Sequence, residues 1–157
     1  MGEDKPVEPR WDGAYPDAIA PSVSAVMRGN KRAGTRPEVR LRSALHRRGV
    51  RFRKDLAFTV GGERVRPDIV FTKRRVAVFV DGCFWHGCPE HGRVPGGRNA
   101  AYWRQKLEGN QSRDSRQSTA LKSEGWVVIR IWEHIPLSEA VDTVSARLIE
   151  TQPFGLA

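Results

Sequence analysis

Cysteine is scarce in this chain: two residues, five positions apart, in a sequence of 157. Two thiols so close together cannot staple a domain of this size, so a disulfide-framed secreted fold is excluded and an intracellular setting is expected. Long apolar runs are missing too, and none approaches the roughly 18 residues of a membrane span. The opening segment MGEDKPVEPR is acidic and proline-bearing, without the apolar stretch of a signal peptide. Lysine is thin, at six residues against 21 arginines, so guanidinium groups carry most of the net charge of +9. Their planar donor fork suits phosphates and base edges, which makes nucleic acid the expected partner. A genome rich in G and C would inflate arginine without any such partner. What the chain does contain is enough to bury one core: 39% hydrophobic residues, with five Trp and six Phe. The length suits one domain and not two.

Residues 1–22 carry Pro6, Pro9, Pro16 and Pro21 with little apolar periodicity, and read as a flexible N-terminal arm; residues 23–157 read as a single domain. Thr35 and Glu38 form a capping box for a first helix lined by Leu41, Ala44 and Leu45 and ended by Gly49. Val50 to Phe58 predicts a strand, Gly61-Gly62 a turn, and Val65 to Phe71 its hairpin partner. Val76 to Val80 is continuously apolar, as a central strand covered on both faces would be. The Gly-rich loop from Gly82 to Asn99 needs an organiser of its own. A helix over Ala100 to Glu124, weakened at Gly109-Asn110, a strand over Trp126 to Trp132 and a final helix capped by Ser138 complete the chain. The expected class is α/β, with a mixed central sheet flanked by helices.

Four constellations could carry chemistry. Asp68 follows Arg66-Pro67 at a strand entry, and Asp81 ends the neighbouring apolar strand. Mg²⁺ takes hard oxygens and is usually held by one or two carboxylates plus phosphate and water; plain turn caps are the alternative. Cys83-x4-Cys88-x2-His91 offers three zinc ligands within nine residues, and His134, just past the last strand, can complete a Cys2His2 set. His86 competes as a ligand, and two ordinary thiols beside an exposed His are the bland alternative. Phe84-Trp85, Tyr102-Trp103 and Lys106 combine aromatics with charge, as a wedge between base steps would, or anchor the loop on the sheet. Asp114 between Arg113 and Arg116 is a solvated charge pair or an orienting partner for a histidine.

Met27-Arg28, Thr35-Arg36-Pro37-Glu38, Arg66-Pro67-Asp68, the segment VAVFVDGCFWHGCPEH, Tyr102-Trp103 with Lys106 and Asn110, Arg113-Asp114, and Val127 to Glu133 together resemble the very short patch repair (Vsr) DNA mismatch endonucleases. GCFWH after an apolar strand is the most specific part. The resemblance implies a PD-(D/E)xK-type core with a zinc-stabilised loop. It also implies a Mg²⁺-dependent, strand-specific nick 5′ of the thymine in a T:G mismatch, the product of 5-methylcytosine deamination. By position, Asp68 and the Val80 backbone carbonyl match the magnesium ligands and His86 the catalytic histidine, with Glu38 and Asp114 as supporting acids. Met27, Phe84, Trp85, Trp103, Lys106 and Asn110 match positions that contact DNA, and Cys83, Cys88, His91 and His134 the structural zinc region. Asp81 departs from the pattern, standing where some relatives carry a second histidine; it either binds metal or replaces that histidine. His134 stands where some relatives have Cys.

The expectation is therefore a cytoplasmic, nucleoid-associated, monomeric nickase with structural zinc, catalytic magnesium and a T:G-mismatched duplex as substrate. Mismatch-repair proteins or a methyltransferase are candidate partners. Rivals are a restriction or defence nuclease on the same core, and a non-catalytic zinc DNA-binding module.

Overall fold

The computed structural model describes residues 33–151. The expected arm, and Met27 with it, lie outside the described residues. Helix α1, Arg36–Arg47, starts at Thr35 as expected, with Pro37 in its first turn. The capping box closes differently, however. Glu38 reaches back to accept the Gly34 N–H at 2.7 Å and the Thr35 hydroxyl at 2.8 Å, so the threonine spends its hydroxyl on the carboxylate and not on a helix N–H. Gly49, at a φ of +78°, ends the helix in the left-handed conformation that glycine adopts without penalty.

The strands are shorter and more numerous than the hydrophobic runs suggest: β1 Arg53–Lys54, β2 Phe58–Val60, β3 Glu63–Val65, β4 Ile69–Phe71, β5 Val76–Asp81 and β6 Val127–Trp132. The expected strand Val50 to Phe58 breaks at Asp55, which takes a φ of +50°. As a result β1 pairs antiparallel with β4, while β2 turns away to pair with β3 in a separate ribbon. The expected return strand breaks at Pro67, which has no N–H to give a ladder. Gly61 and Gly62 make the hairpin turn with φ of +52° and +78°, the double positive φ of a type I′ turn. The main sheet has the order β1-β4-β5-β6, antiparallel except for the parallel pair β5 and β6. Helix α2, Ala100–Ser123, joins that pair, and α3, Leu137–Glu150, follows β6.

Alternation along β5 explains why the sheet is covered on both faces. Val76 and Val78 point to one side, where they pack with Leu41 and Leu45 of α1 and with Val141 and Val144 of α3. Ala77 and Phe79 point to the other side, toward Ala120 and Leu121 of α2 and Val60 and Val65 of the hairpin. Truncating the fully buried Val78 to Ala would cost roughly 2 kcal/mol. Helix α2 runs through Gly109-Asn110 without a break, and the Asn110 side chain leaves the helix to donate to the Trp85 carbonyl at 3.0 Å. Helix α3 starts at Leu137, with Pro136 as its N-cap residue, and Ser138 lies inside it instead of capping it. No helix among the described residues is long and apolar enough to cross a membrane.

Candidate active site

The C-terminal end of β5 faces a cleft of about 740 Å³ whose walls come from α1, the hairpin, β5, β6 and α2. Asp68 enters it because Pro67 is buried and the Asp68 N–H bonds the Val78 carbonyl at 3.0 Å, which registers β4 against β5. Its Oδ2 accepts the Val80 N–H at 2.7 Å. The acid that β4 brings together with Asp68 is not Asp81. Glu38, only 3% exposed, and Asp55 place their carboxylate oxygens with that of Asp68 within 4.8 Å of one another. Burial pushes the Asp68 carboxyl up to about 7; the Val80 N–H pulls the other way, while Glu38, Asp81 and Asp55 push further up. Arg42 partly compensates the group, at 3.6 Å from Glu38 and 3.4 Å from Asp55. Three hard oxygens crowded at the cost of protonating one of them are a donor set suited to a divalent cation. Asp55 carries no sequence signal of its own. Only the break that its positive φ puts into the strand turns it toward Asp68.

Opposite these acids stands His86. Its Nδ1 lies 2.5 Å from Asp114 Oδ2 and 3.7 Å from Asp81 Oδ1. Burial alone would raise the Asp114 carboxyl, but the hydrogen bond and charge of His86, followed by Arg130 and Arg113, outweigh it and hold Asp114 below the ordinary carboxylate range. An ionised carboxylate can only accept, so Nδ1 is the donor to Asp114; in the neutral ring Nε2 is then the acceptor. Asp114 is thus the orienting partner, not a solvated charge pair. Asp81 is 4% exposed, and both its oxygens bind Arg130 Nη1, at 2.9 and 2.8 Å. Arg130 escaped the sequence reading, although a lone charge inside WVVIRIW was its signal.

The loop after β5 folds around its own side chains. Cys83 Sγ lies 3.1 Å from His134 Nδ1 and 4.0 Å from His91 Nδ1; Cys88 Sγ lies 3.7 and 3.8 Å from the same two atoms. Around a tetrahedral zinc such atoms stand roughly 3.5–3.8 Å apart, so the set fits that ion. His134 turns its Nε2 toward Glu90, 3.7 Å away, the kind of carboxylate partner that fixes a ligand tautomer. Burial pushes the Cys83 thiol up to about 11, with Cys88 adding to it. At Cys88 the burial penalty is outweighed by the N–H groups of His91 and Glu90, which hold the thiol below its usual range. Gly92 has to be glycine, since a Cβ there would stand 2.5 Å from the Cys88 carbonyl oxygen. His86 stays outside this group, paired with Asp114 instead.

Phe84, Trp85 and Trp103 form an edge-on cluster with ring centroids 4.9 to 6.0 Å apart, and Tyr102 adds a fourth ring 5.1 Å from Trp103. All four rings are only half-buried and belong to neither core. Lys106 is exposed on the same helix. Arg64, Arg66 and Arg113 line the cleft, so the acids sit in a basic-walled groove.

A family model described as DNA mismatch endonuclease Vsr matches residues 18–90. The chain is similar to the type II nicking enzyme V.NaeI of Lentzea aerocolonigenes, 50% identical over 133 residues that cover 84% of this chain and 80% of the relative. It is 48% identical to the type II nicking enzyme V.XorIIP of Xanthomonas oryzae pv. oryzae, over 63% of this chain and 70% of that one. To the DNA mismatch endonuclease Vsr of Escherichia coli K12 it is 36% identical, over 68% and 66%. With acids, histidine and basic walls gathered in one groove, the chain is a DNA endonuclease and belongs to the Vsr family.

Proposed function

We propose that the protein nicks one strand of duplex DNA 5′ of the thymine in a T:G mismatch, on a PD-(D/E)xK-type core and with Mg²⁺. The observation that carries this reading is the placement of Glu38, Asp55 and Asp68 across one groove from the His86–Asp114 pair. Asp68 with its two neighbours, and the Val80 carbonyl at the same strand end, would hold the ion. A Mg²⁺ bound there supplies neutralisation of the charge that develops on the phosphate. His86 Nε2 takes the proton of the attacking water while Asp114 fixes the ring through Nδ1 and stabilises the imidazolium that forms. Cys83, Cys88, His91 and His134 would hold a structural Zn²⁺, and the loop so fixed presents Phe84 and Trp85 beside Trp103.

The T:G preference is supported by those rings. Half-exposed aromatics outside any core gain a partner surface by entering the base stack, and unstacking costs least at an imperfect pair. Arg64, Arg66 and Arg113, with Lys106, supply sequence-blind phosphate attraction. Asn110 supports the wedge from behind, through the Trp85 carbonyl. The nicking-enzyme relatives favour a second reading: a nickase of intact or modified DNA at a fixed sequence. One experiment separates the two. Matched, T:G-mismatched and methylated duplexes, each strand labelled in turn, are incubated with the protein in Mg²⁺ or in chelator. A Mg²⁺-dependent nick in the thymine strand of the T:G duplex is expected; equal cutting of the matched duplex overturns the mismatch reading.

A further inference from the structure

The residue that ties the proton-transfer side of this groove together is Arg130. It is a charge in the middle of the parallel strand β6, and its side chain is 25% exposed. Each part of its guanidinium is engaged. Nη1 takes both Asp81 oxygens, at 2.9 and 2.8 Å. Nη2 donates to the Asp114 carbonyl at 3.4 Å and stands 3.6 Å from Asp114 Oδ1. Nε donates to Ser118 Oγ at 3.2 Å, and the guanidinium carbon lies 4.5 Å over the Phe79 ring. One side chain thus bolts β5, β6 and α2 to each other at the point where His86 meets its two acids.

We propose that Arg130 is a positioning residue for His86: it fixes Asp81 and Asp114 around Nδ1, and this makes Asp81 a counterion of Arg130 and not a metal ligand. Both Asp81 oxygens are engaged by Arg130, and the carboxylates that gather with Asp68 are Glu38 and Asp55 instead. Buried without Arg130, Asp81 would be an uncompensated charge 3.7 Å from His86 and would compete with Asp114 for the Nδ1 proton. The ring would then swing between two acceptors. The other charges around His86 do different work. Arg113 reaches Asp114 from the solvent side at 3.8 Å, Glu133 accepts the Cys83 N–H at 2.7 Å, Glu38 and Asp55 gather with Asp68, and Arg64 and Arg66 line the same cleft. A lysine at 130 would restore the charge without the fork that spans both acids.

The inference rests on His86 taking the proton, and the test separates the two ideas. Steady-state nicking by the full chain is measured on whichever duplex the wild type cuts best. Arg130→Met is expected to lower kcat about 100-fold, with KM for DNA within about threefold, and Arg130→Lys to recover about tenfold of that loss. The neutral pair Asp81→Asn with Arg130→Gln, which removes both charges together, is expected to be faster than Arg130→Met. A readout independent of nicking is the His86 Nδ1 proton in ¹⁵N-histidine-labelled protein without added Mg²⁺: held downfield by Asp114 in the wild type, it broadens or vanishes in Arg130→Met. Should Arg130→Met not fold, Arg130→Lys and the neutral pair decide by the same two readouts. A kcat within threefold of wild type for Arg130→Met or for Arg130→Lys, a loss confined to KM, or an unchanged Nδ1 proton in the variants overturns the proposal. Full activity of His86→Ala overturns the role of His86 itself, whatever the arginine variants do.

Discussion

The two walls of the groove are built on opposite plans. The carboxylate wall hangs on regular structure: Asp68 is registered by the β4–β5 ladder, Glu38 by the first turn of α1, and both stand beside a core of fully buried aliphatic residues. Its geometry is secure while its electrostatics are strained, since burial and three neighbouring carboxylates push Asp68 up to about 7. The loop wall, from Gly82 to Asn99, has no helix or strand; it is held by backbone turns and by four side chains that converge on one point. Its four converging side chains suit an ion, and a bound ion would fix its geometry. A scaffold that supplies the fold can carry unfavourable charges for chemistry, whereas a segment without a core has to be organised by the group it binds.

The largest effect expected from breaking this contrast is on chemistry at the rigid wall. Asp68→Ala should lower nicking more than 1,000-fold, the scale lost when an essential group in phosphoryl chemistry is removed. Binding to mismatched duplex should change by less than about threefold, because the fold does not need this carboxylate and phosphates no longer face it. Nicking rate and gel-shift affinity, measured side by side, check this. Substantial Mg²⁺-dependent cleavage by the variant would remove Asp68 from the site.

At the other wall the same kind of truncation should act through structure. Cys88→Ala is expected to abolish bound zinc, which metal analysis should find at one per chain in the wild type, and to cost on the order of 3 kcal/mol of stability. Both cores lie away from the loop, so near-native far-UV dichroism should survive while tryptophan fluorescence from Trp85 and Trp103 shifts red. Stoichiometric zinc after Cys88→Ala, or none in the native protein, would refute the ligand set.

These two walls were not equally legible in the sequence. The loop was the easier one, since soft ligands clustered in a Gly-rich stretch announce themselves by spacing, and His134 followed from the strand beside them. The central strand and the three helices were readable from periodicity. The carboxylate wall was read only in part. Asp68 stands out by its place at a strand entry and the acid role of Glu38 comes from family resemblance, while the partner suggested for Asp68, Asp81, belongs to Arg130 instead. Asp55 was invisible because a left-handed backbone at a non-glycine residue leaves no trace in the apolar pattern. Sheet register, which decides which acids meet, is a property of paired strands and not of any one of them.

A smaller effect is expected where the walls act jointly on DNA. Trp85→Ala should cut the preference for T:G over matched duplex by about tenfold at fixed ionic strength, while weak non-specific binding changes little, because wedge and phosphate contacts are separate contributions. A folded, zinc-loaded variant with its full preference would make Trp85 a packing residue of the Phe84–Trp103 cluster.

The strain at the rigid wall can also be tested directly. A carboxyl held at about 7 in the folded protein, against 3.8 ordinarily, binds its proton more tightly folded than unfolded. Its favourable contribution is fully present below pH 4 and is lost as pH rises toward and through 7. Metal-free Asp68→Asn lacks that titration and keeps an oxygen for the Val80 N–H. The variant should therefore match the wild type near pH 4 and exceed it by roughly 2 kcal/mol at pH 8, well short of the limit set by the full shift because the carboxyl still faces the water of the cleft. Adding Mg²⁺ at pH 8 should reverse the order, raising the wild-type melting temperature and leaving that of Asp68→Asn in place, since an ion that binds only the folded state stabilises only a chain that can bind it. Parallel stability curves for the two proteins from pH 4 to 8 would show that Asp68 carries no such strain.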